Sequence, residues 1–308
     1  MPLPPDTLAF ARIAAQIALQ GKLLRAWALD GGISARMTAL EIALPAGESM
    51  RAVVRQPGAA ALARNPRAAH DEYALLGLLQ AHGVAAPRPL LLDDSGASFP
   101  DPFLAIEYID GAMDFALANP ADAARQLATQ LASINQINAA VPGLAFLPAP
   151  PAECGPPANA ALPTAHIRAA LVAAPPPPAA PALLHGDFWP GNVLWRGGRL
   201  AAVIDWEDAA LGDPLRDLAI SRLDLAWIYG RDAMHAFTAH YQAQAPLGAS
   251  RLARWDLIAA LRLARLVGND LQGWAAFFHP FGRTDITAQH IRDHYNWFVA
   301  QAIAGLQL

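Results

Sequence analysis

The stretch from Leu183 to Glu207 constrains most what this chain can fold into. Its first part runs Leu183-Leu184-His185-Gly186-Asp187-Phe188-Trp189-Pro190-Gly191-Asn192-Val193-Leu194-Trp195, and Val203-Ile204-Asp205-Trp206-Glu207 follows. Asp187 and Asn192 are bracketed by hydrophobic residues, the pattern of a short loop emerging from a core. Ala201-Ala202-Val203-Ile204 reads as a buried strand that delivers Asp205 at its end. Gly197-Gly198 between them is a hairpin turn signal. With the turn centred there, residues 196 and 199 face each other and Asn192 stands opposite Val203. Asp205 is then a diagonal neighbour of Asn192 on the same face, roughly 7–8 Å away.

One cation can bridge an amide oxygen and a carboxylate across that gap. Hard oxygen ligands suit Mg²⁺, which keeps waters and completes its shell with substrate phosphates. Asp187 lies outside this pair and is free to accept a proton from an attacking hydroxyl. The set suits phosphoryl transfer, which depends on positioning and charge neutralisation.

The rest of the chain gives this motif a setting. A length of 308 residues suggests two lobes or domains, and 54% hydrophobic residues supply an ample core. Net charge is −4 without a basic stripe, so nucleic acid is not an expected partner. Cys154 is the lone cysteine, which excludes an intrachain disulfide and a multi-cysteine zinc site. No apolar run reaches membrane-spanning length and no leader pattern opens the chain, so a soluble cytoplasmic protein with no membrane partner is expected.

Helical pattern runs from Asp6 to Gln20, with Asp6 or Thr7 as the cap. Strand patterns follow at Leu23–Leu29, around Leu40–Leu44, and at Arg51–Gln56. Asn65-Pro66 starts a helix closed by Gly83, and strands near Leu90–Leu92 and Phe103–Ile109 complete a small antiparallel sheet. After Asp110-Gly111 the pattern is helical: Pro120–Asn138, Thr164–Ala173, Pro214–Ile228, Arg231–Gln244, Arg251–Phe278 and Thr287–Leu308. The Pro/Ala-rich segment Pro148–Pro181, with Pro175-Pro176-Pro177-Pro178, is the region expected to be flexible.

His185-Gly186-Asp187 through Asn192, then Asp205-Trp206-Glu207 and Gly212-Asp213-Pro214…Asp217-Leu218-Ala219, resemble the aminoglycoside phosphotransferase/choline kinase family. The resemblance is dense from Leu183 to Ala219, looser over the first 110 residues and weak at the C-terminus. It implies an α+β, protein-kinase-like bilobal fold. A small antiparallel-sheet N-lobe with one main helix would span residues 1–109, and a larger, mostly helical C-lobe residues 110–308. It implies an ATP-dependent kinase acting on a hydroxyl of a small molecule, with Mg²⁺ as the metal. Sugars, amino alcohols, aminoglycosides and related metabolites are acceptors of the right class.

Residue roles follow from the same resemblance. Asp187 is the catalytic base or hydroxyl-orienting group, Asn192 and Asp205 hold the metal, and His185 braces the loop. Gly31, Gly32 and Ser34 lie where a loop covers the phosphates, and their amides can face anionic oxygens. Val53-Val54-Arg55 puts arginine where the phosphate-pairing lysine more often stands; Lys22, the chain's one lysine, is too early to replace it. Glu72 is the helix glutamate expected to pair with Arg55, with Asp71 as the adjacent alternative. Backbone groups at Glu107 and Ile109 would hold adenine. Asp213 and Asp217 are read as buried braces. Glu207, Asp208, Asp270 and Trp274 are candidate acceptor contacts, with Trp255, Arg262 and Arg265 as further candidate lining; all could instead be ordinary surface or core positions.

A catalytically silent nucleotide-binding protein of the same fold is the alternative, encouraged by Arg55 and opposed by the intact Asp187, Asn192 and Asp205. A metallohydrolase that takes His185-Gly186-Asp187 as two ligands is disfavoured, because the motif from Leu183 to Glu207 carries no second histidine. A protein kinase is disfavoured because Asp205-Trp206-Glu207 replaces Asp-Phe-Gly and no Ala-Pro-Glu follows.

Overall fold

In a computed structural model, which describes residues 6–29, 35–151, 161–173, 180–245 and 249–306, the chain forms two compact units, Met1–Asp110 and Gly111–Leu308. Gly31, Gly32, Ser34, Cys154 and the four consecutive prolines from Pro175 lie outside the described residues.

In the first unit, α1 (Thr7–Ile17) leads into a five-stranded antiparallel sheet of order β1-β2-β3-β5-β4. Its strands are β1 (Lys22–Ala28), β2 (Ala35–Ala43), β3 (Ser49–Pro57), β4 (Pro89–Asp93) and β5 (Phe103–Glu107). Between β3 and β4 come a short α2 (Ala59–Arg64), which the sequence pattern did not announce, and α3 (Ala68–Ala81). Phe10, Ile13 and Ala14 of α1 pack with Leu40, Ile42, Ala52, Val54, Phe103 and Ala105 in one core. α3 packs against β3, β4 and β5, burying Leu75, Leu76 and Leu79. With helices packed on the sheet, β2 is buried more completely than its alternating sequence suggests: Ala39, Leu40 and Ile42 are all fully buried. Asp6 does not cap α1; its carboxylate pairs with Arg36 at 2.8 Å instead.

The second unit is mainly helical. It contains α4 (Pro120–Asn135), α5 (Ala165–Ala173), β6 (Ala182–Leu184), a 3₁₀ turn (Pro190–Asn192), and the hairpin of β7 (Val193–Arg196) and β8 (Arg199–Val203). β9 (Ala210–Gly212) pairs antiparallel with β6. Then come α6 (Leu215–Ile228), α7 (Arg231–Gln242), α8 (Ala249–Val267), α9 (Leu271–Ala276) and α10 (Ala288–Leu306). The start of α4 follows from Asn119, whose side chain accepts from Asp122 N at 3.1 Å, and from Pro120 in the first turn.

One sequence expectation fails here. The continuous helix expected from Arg251 to Phe278 is broken: Gly268 adopts φ +56° and Asp270 caps a new helix by accepting from Gly273 N at 2.8 Å. Within the segment Pro148–Pro181, residues 152–160 and 174–179 lie outside the described residues, and the part between them is packed. Leu162 and Ile167 are fully buried, Ala161 N donates to Gly268 O at 2.7 Å, and Tyr295 OH donates to Pro163 O at 3.0 Å. Among the described residues, no helix is long and apolar enough to cross a membrane.

α6 lies at the centre of this unit, packing on α7, α8 and α10. Every residue of it except Arg222 is buried, including Arg216, Asp217, Ser221 and Asp224. Polar groups in such a place need partners, and those partners build the site.

Candidate active site

β6 delivers His185 into the core, and the residue cannot act as a base there. Its Nε2 lies 2.9 Å from Ile204 O, while Nδ1 receives Asp187 N at 3.3 Å. A carbonyl can only accept, so Nε2 carries the proton and both ring nitrogens are used. Burial pushes the imidazole pKa below its ordinary value, and the ring packs against Trp206 at 4.5 Å. His185 is a neutral strut between the 185–192 loop and the end of β8.

The backbone around it is fixed from α6. Asp217 Oδ2 accepts from His185 N at 2.7 Å and Oδ1 from Gly186 N at 3.0 Å. Burial raises the Asp217 carboxyl to about 6, while those two amide bonds pull the other way. Ser221 Oγ donates to Phe188 O at 2.6 Å. Gly186 itself has φ +86°, and a Cβ built on it would meet Asp208 O at 2.0 Å. Only glycine lets the 208 backbone approach this closely.

Asp187 emerges from this frame partly exposed. Asn192 Nδ2 donates to Asp187 O at 2.9 Å and to its Oδ2 at 3.1 Å. Both partners are acceptors, so the amide nitrogen faces Asp187 and Asn192 Oδ1 is the end left to coordinate a cation. Across the hairpin, Ile204 N donates to Asn192 O at 2.9 Å.

This pairing corrects the register expected from sequence. The turn itself is as read: Gly197 and Gly198 have φ +57° and +75°, and Arg196 pairs with Arg199. A bulge then intervenes, because Leu194 pairs with Ala202 while Trp195 pairs with Leu200, leaving Ala201 extra. Asn192 therefore stands beside Ile204, not Val203, and Asp205 follows by one residue. Asp205 is exposed and adopts φ +64°, a left-handed conformation that aspartate tolerates better than most residues.

The donor set fits Mg²⁺. Asn192 Oδ1 and the Asp205 carboxylate are hard oxygen donors on adjoining strand ends, and Mg²⁺ takes few protein ligands. Among the described residues, no group of three or more His, Cys, Asp or Glu side chains is placed to hold a metal ion.

In the first unit, Arg55 sits toward the C-terminal end of β3, between Met37 and Leu104. Its Nε donates to Glu72 Oε2 at 2.8 Å, with side-chain exposures of 9% and 14%. Glu72 is thus the partner, while Asp71 accepts from Asn65 Nδ2 at 2.8 Å and lies 3.5 Å from Arg67. Glu107 ends β5; its side chain accepts from Arg88 Nε at 3.0 Å and its amide donates to Arg88 O at 2.8 Å. Ile109 follows two residues on and is half-buried.

The acceptor candidates are dispersed. Glu207 and Asp208 are exposed beside Asp205 in sequence, and the Asp208 carbonyl abuts Gly186. Asp270 caps α9. Trp274 is half-buried, its Nε1 without a hydrogen-bond partner. Trp255 donates instead to Asp213 Oδ2 at 2.9 Å, which also pairs with Arg251. Arg262 reaches Asp187 itself, with Nη2 2.6 Å from Oδ1. Ser221 was not anticipated, although its place one helical turn after Asp217 was a usable signal.

Comparison with known proteins agrees with this architecture. The model of a family described as the phosphotransferase enzyme family matches residues 28–255. A solved structure named as a candidate aminoglycoside phosphotransferase from Ralstonia eutropha JMP134 superposes with TM-score 0.60 at 17% identity, over 98% of each chain. Macrolide 2'-phosphotransferase MphH from Brachybacterium faecium gives 0.59 at 19% identity, over 96% of this chain and 97% of that one. APH(2")-IIa, solved as a ternary complex with streptomycin and ATP, gives 0.53 at 17% identity, over 85% and 90%. No curated protein sequence matches. The fold is the protein-kinase-like fold of these phosphotransferases.

Proposed function

The chain belongs to the phosphotransferase enzyme family, and from that premise we propose that it transfers the γ-phosphoryl group of ATP to a hydroxyl of a small molecule. The observation that carries the reading is Asp187, a carboxylate fixed by Asn192 and by a loop that α6 grips at residues 185, 186 and 188.

Asp187 orients the acceptor hydroxyl and takes its proton as the oxygen bonds to the γ-phosphorus and the bond to the β-phosphate oxygen breaks, releasing ADP. Asn192 and Asp205 would hold Mg²⁺, which would offset charge on the phosphate oxygens. Arg55, kept in place by Glu72, grips phosphate oxygens with a planar fork that lysine lacks. Gly31, Gly32 and Ser34 are assigned to nucleotide phosphate binding by the glycine-rich pattern of their sequence. The Glu107 amide is already bonded, so its carbonyl and the Ile109 backbone are the groups offered to adenine. Glu207, Asp208, Asp270 and Trp274 are assigned to acceptor recognition, for a sugar, amino alcohol, aminoglycoside or related metabolite. The compartment proposed for this activity is the cytoplasm, where ATP is supplied.

The test is a panel of hydroxylated metabolites and antibiotics scored for acceptor-dependent ADP release, with Asp187→Asn as control. A general base contributes on the order of 10²–10⁴-fold, so the variant should lose activity on that scale while still binding Mg²⁺·ATP. Equal ADP release by both proteins removes the assignment.

A further inference from the structure

Asp187 makes an ion pair with a residue far along the chain. Arg262 on α8 places Nη2 2.6 Å from Asp187 Oδ1, and the two side chains are only 13% and 27% exposed. Asp187 Oδ2 receives Asn192 Nδ2 at 3.1 Å. Each carboxylate oxygen therefore has one fixed donor, and each keeps lone-pair capacity for a further hydrogen bond.

The guanidinium is itself set between acids. Asp224 on α6 is 8% exposed, and its Oδ1 accepts from Trp227 Nε1 at 3.2 Å. Burial raises the Asp224 carboxyl to about 7, and the foremost influence opposing that rise is the positive charge of Arg262. Pairing of this kind is a poor way to add stability, because desolvating the charges offsets much of their attraction. What it does supply is direction. A guanidinium is planar, permanently charged and rigid at its head, so it fixes the carboxylate it binds.

We propose that Arg262 is a positioning residue for phosphoryl transfer: it holds the Asp187 carboxylate in the orientation that meets the acceptor hydroxyl. The proposal rests on the role given to Asp187 above. Without Arg262, Asp187 keeps its place in the chain and its bond to Asn192, but one of its oxygens loses its anchor. Misplacement of a reacting group by about 1 Å can cost on the order of 10²-fold.

The experiment uses the full chain with Mg²⁺·ATP and water as the acceptor, following phosphate release. Arg262→Met, Arg262→Lys, Asp187→Asn and the double variant Asp187→Asn/Arg262→Met are compared. Arg262→Met should lower kcat by about 10²-fold with KM for ATP unchanged. Arg262→Lys should recover part of the loss, since it keeps the charge without the fork. The double variant should be no slower than Asp187→Asn, because Arg262 acts through that carboxylate. A wild-type kcat for Arg262→Met, a loss confined to KM, or a double variant slowed by both factors multiplied overturns the proposal. Should Arg262→Met lose cooperative unfolding, Arg262→Gln, which keeps donors but not charge, carries the same expectations. A slow Asp187→Asn beside a wild-type-like Arg262→Met sinks this inference alone. Asp187→Asn releasing phosphate at the wild-type rate, or no release by the wild type, sinks the reading of Asp187 as well.

Discussion

Replacing Gly186 with alanine tests whether the close approach of two backbones holds the site together. The added Cβ would lie 2.0 Å from Asp208 O and 2.7 Å from Asp208 C, where real Cβ contacts stay beyond 3.0 Å. One backbone must therefore retreat by at least the difference, 1.0 Å. Both sides are held: Gly186 N is tied to Asp217 and His185 to Ile204, while Ala209 N donates to Trp206 O at 3.1 Å across the turn that carries Asp208. Positive φ adds about 1–2 kcal/mol for a residue with a Cβ, and overpacking adds about 1–3 kcal/mol more. Gly282 is the control, with φ +76° and nothing within 4 Å of its Cβ position, so Gly282→Ala meets the conformational cost alone. Urea unfolding followed by tryptophan fluorescence reports on this unit, because Trp27 alone of the eight tryptophans lies outside Gly111–Leu308. Gly186→Ala should be less stable than Gly282→Ala by about 1–3 kcal/mol. It should also lose on the order of 10²-fold in phosphate release, since the displaced loop carries Asp187. Equal stabilities for the two variants would show that the 206–208 turn yields without cost and refute the argument.

Four further expectations follow from particular contacts. Arg55→Met removes the guanidinium that Glu72 accepts from at 2.8 Å, which should destabilise the fold in urea unfolding and raise KM for ATP; an unchanged KM would remove Arg55 from the phosphate site. Asp205→Asn should weaken nucleotide binding in the presence of Mg²⁺ but not in EDTA, measured by calorimetry, and equal losses in both would dissociate Asp205 from the metal. Asp217 has its carboxyl raised from 3.8 to about 6 by burial, so the stability it contributes is fully present below the unfolded value and is lost as pH rises through about 6. The stability of wild type relative to Asp217→Asn should accordingly fall between about pH 4 and about pH 7, and a difference that grows over that range contradicts the assignment. Ser221→Ala removes the donor to Phe188 O and should cost about 1–3 kcal/mol with a lower kcat, whereas a change in ATP KM alone would mean that the bond does not act on the loop.

Which parts of this were legible from sequence depends on how far the deciding partner lies along the chain. Asp187, Asn192 and Asp205 stand out because their spacing is local, and the Gly197-Gly198 turn has a known backbone requirement. The bulge at Ala201 was not readable: Leu200-Ala201-Ala202-Val203 is apolar at every position, so the alternation that fixes strand register is missing there. The break at Gly268-Asn269-Asp270 did carry stop and start signals, but apolar residues at helical spacing on both sides outweighed them. Arg262 stood out only as candidate acceptor lining, not as a partner of Asp187. Its contact with Asp187 spans 75 residues, and an arginine on a helix is ordinarily a solvated side chain.

The same reasoning explains why α6, with no catalytic residue of its own, decides the geometry. A helix buried on nearly every side would ordinarily be apolar all round, yet this one carries Asp217, Ser221 and Asp224 at helical spacings of four and three, which align them on one face. Each is expensive to bury and each is committed to the site: Asp217 to the amides of His185 and Gly186, Ser221 to the carbonyl of Phe188, and Asp224 to the electrostatic surroundings of Arg262. On an adjoining face, Arg222 makes a two-pronged pair with Asp256 of α8 at 3.0 Å through each nitrogen. Arg222 thereby ties α6 to the helix that carries Arg262. The loop that presents Asp187 and the arginine that steadies it are thus referenced to one rigid element. A stability-optimised core would have placed leucines at these positions; the buried polar face is the cost of holding a carboxylate in one direction.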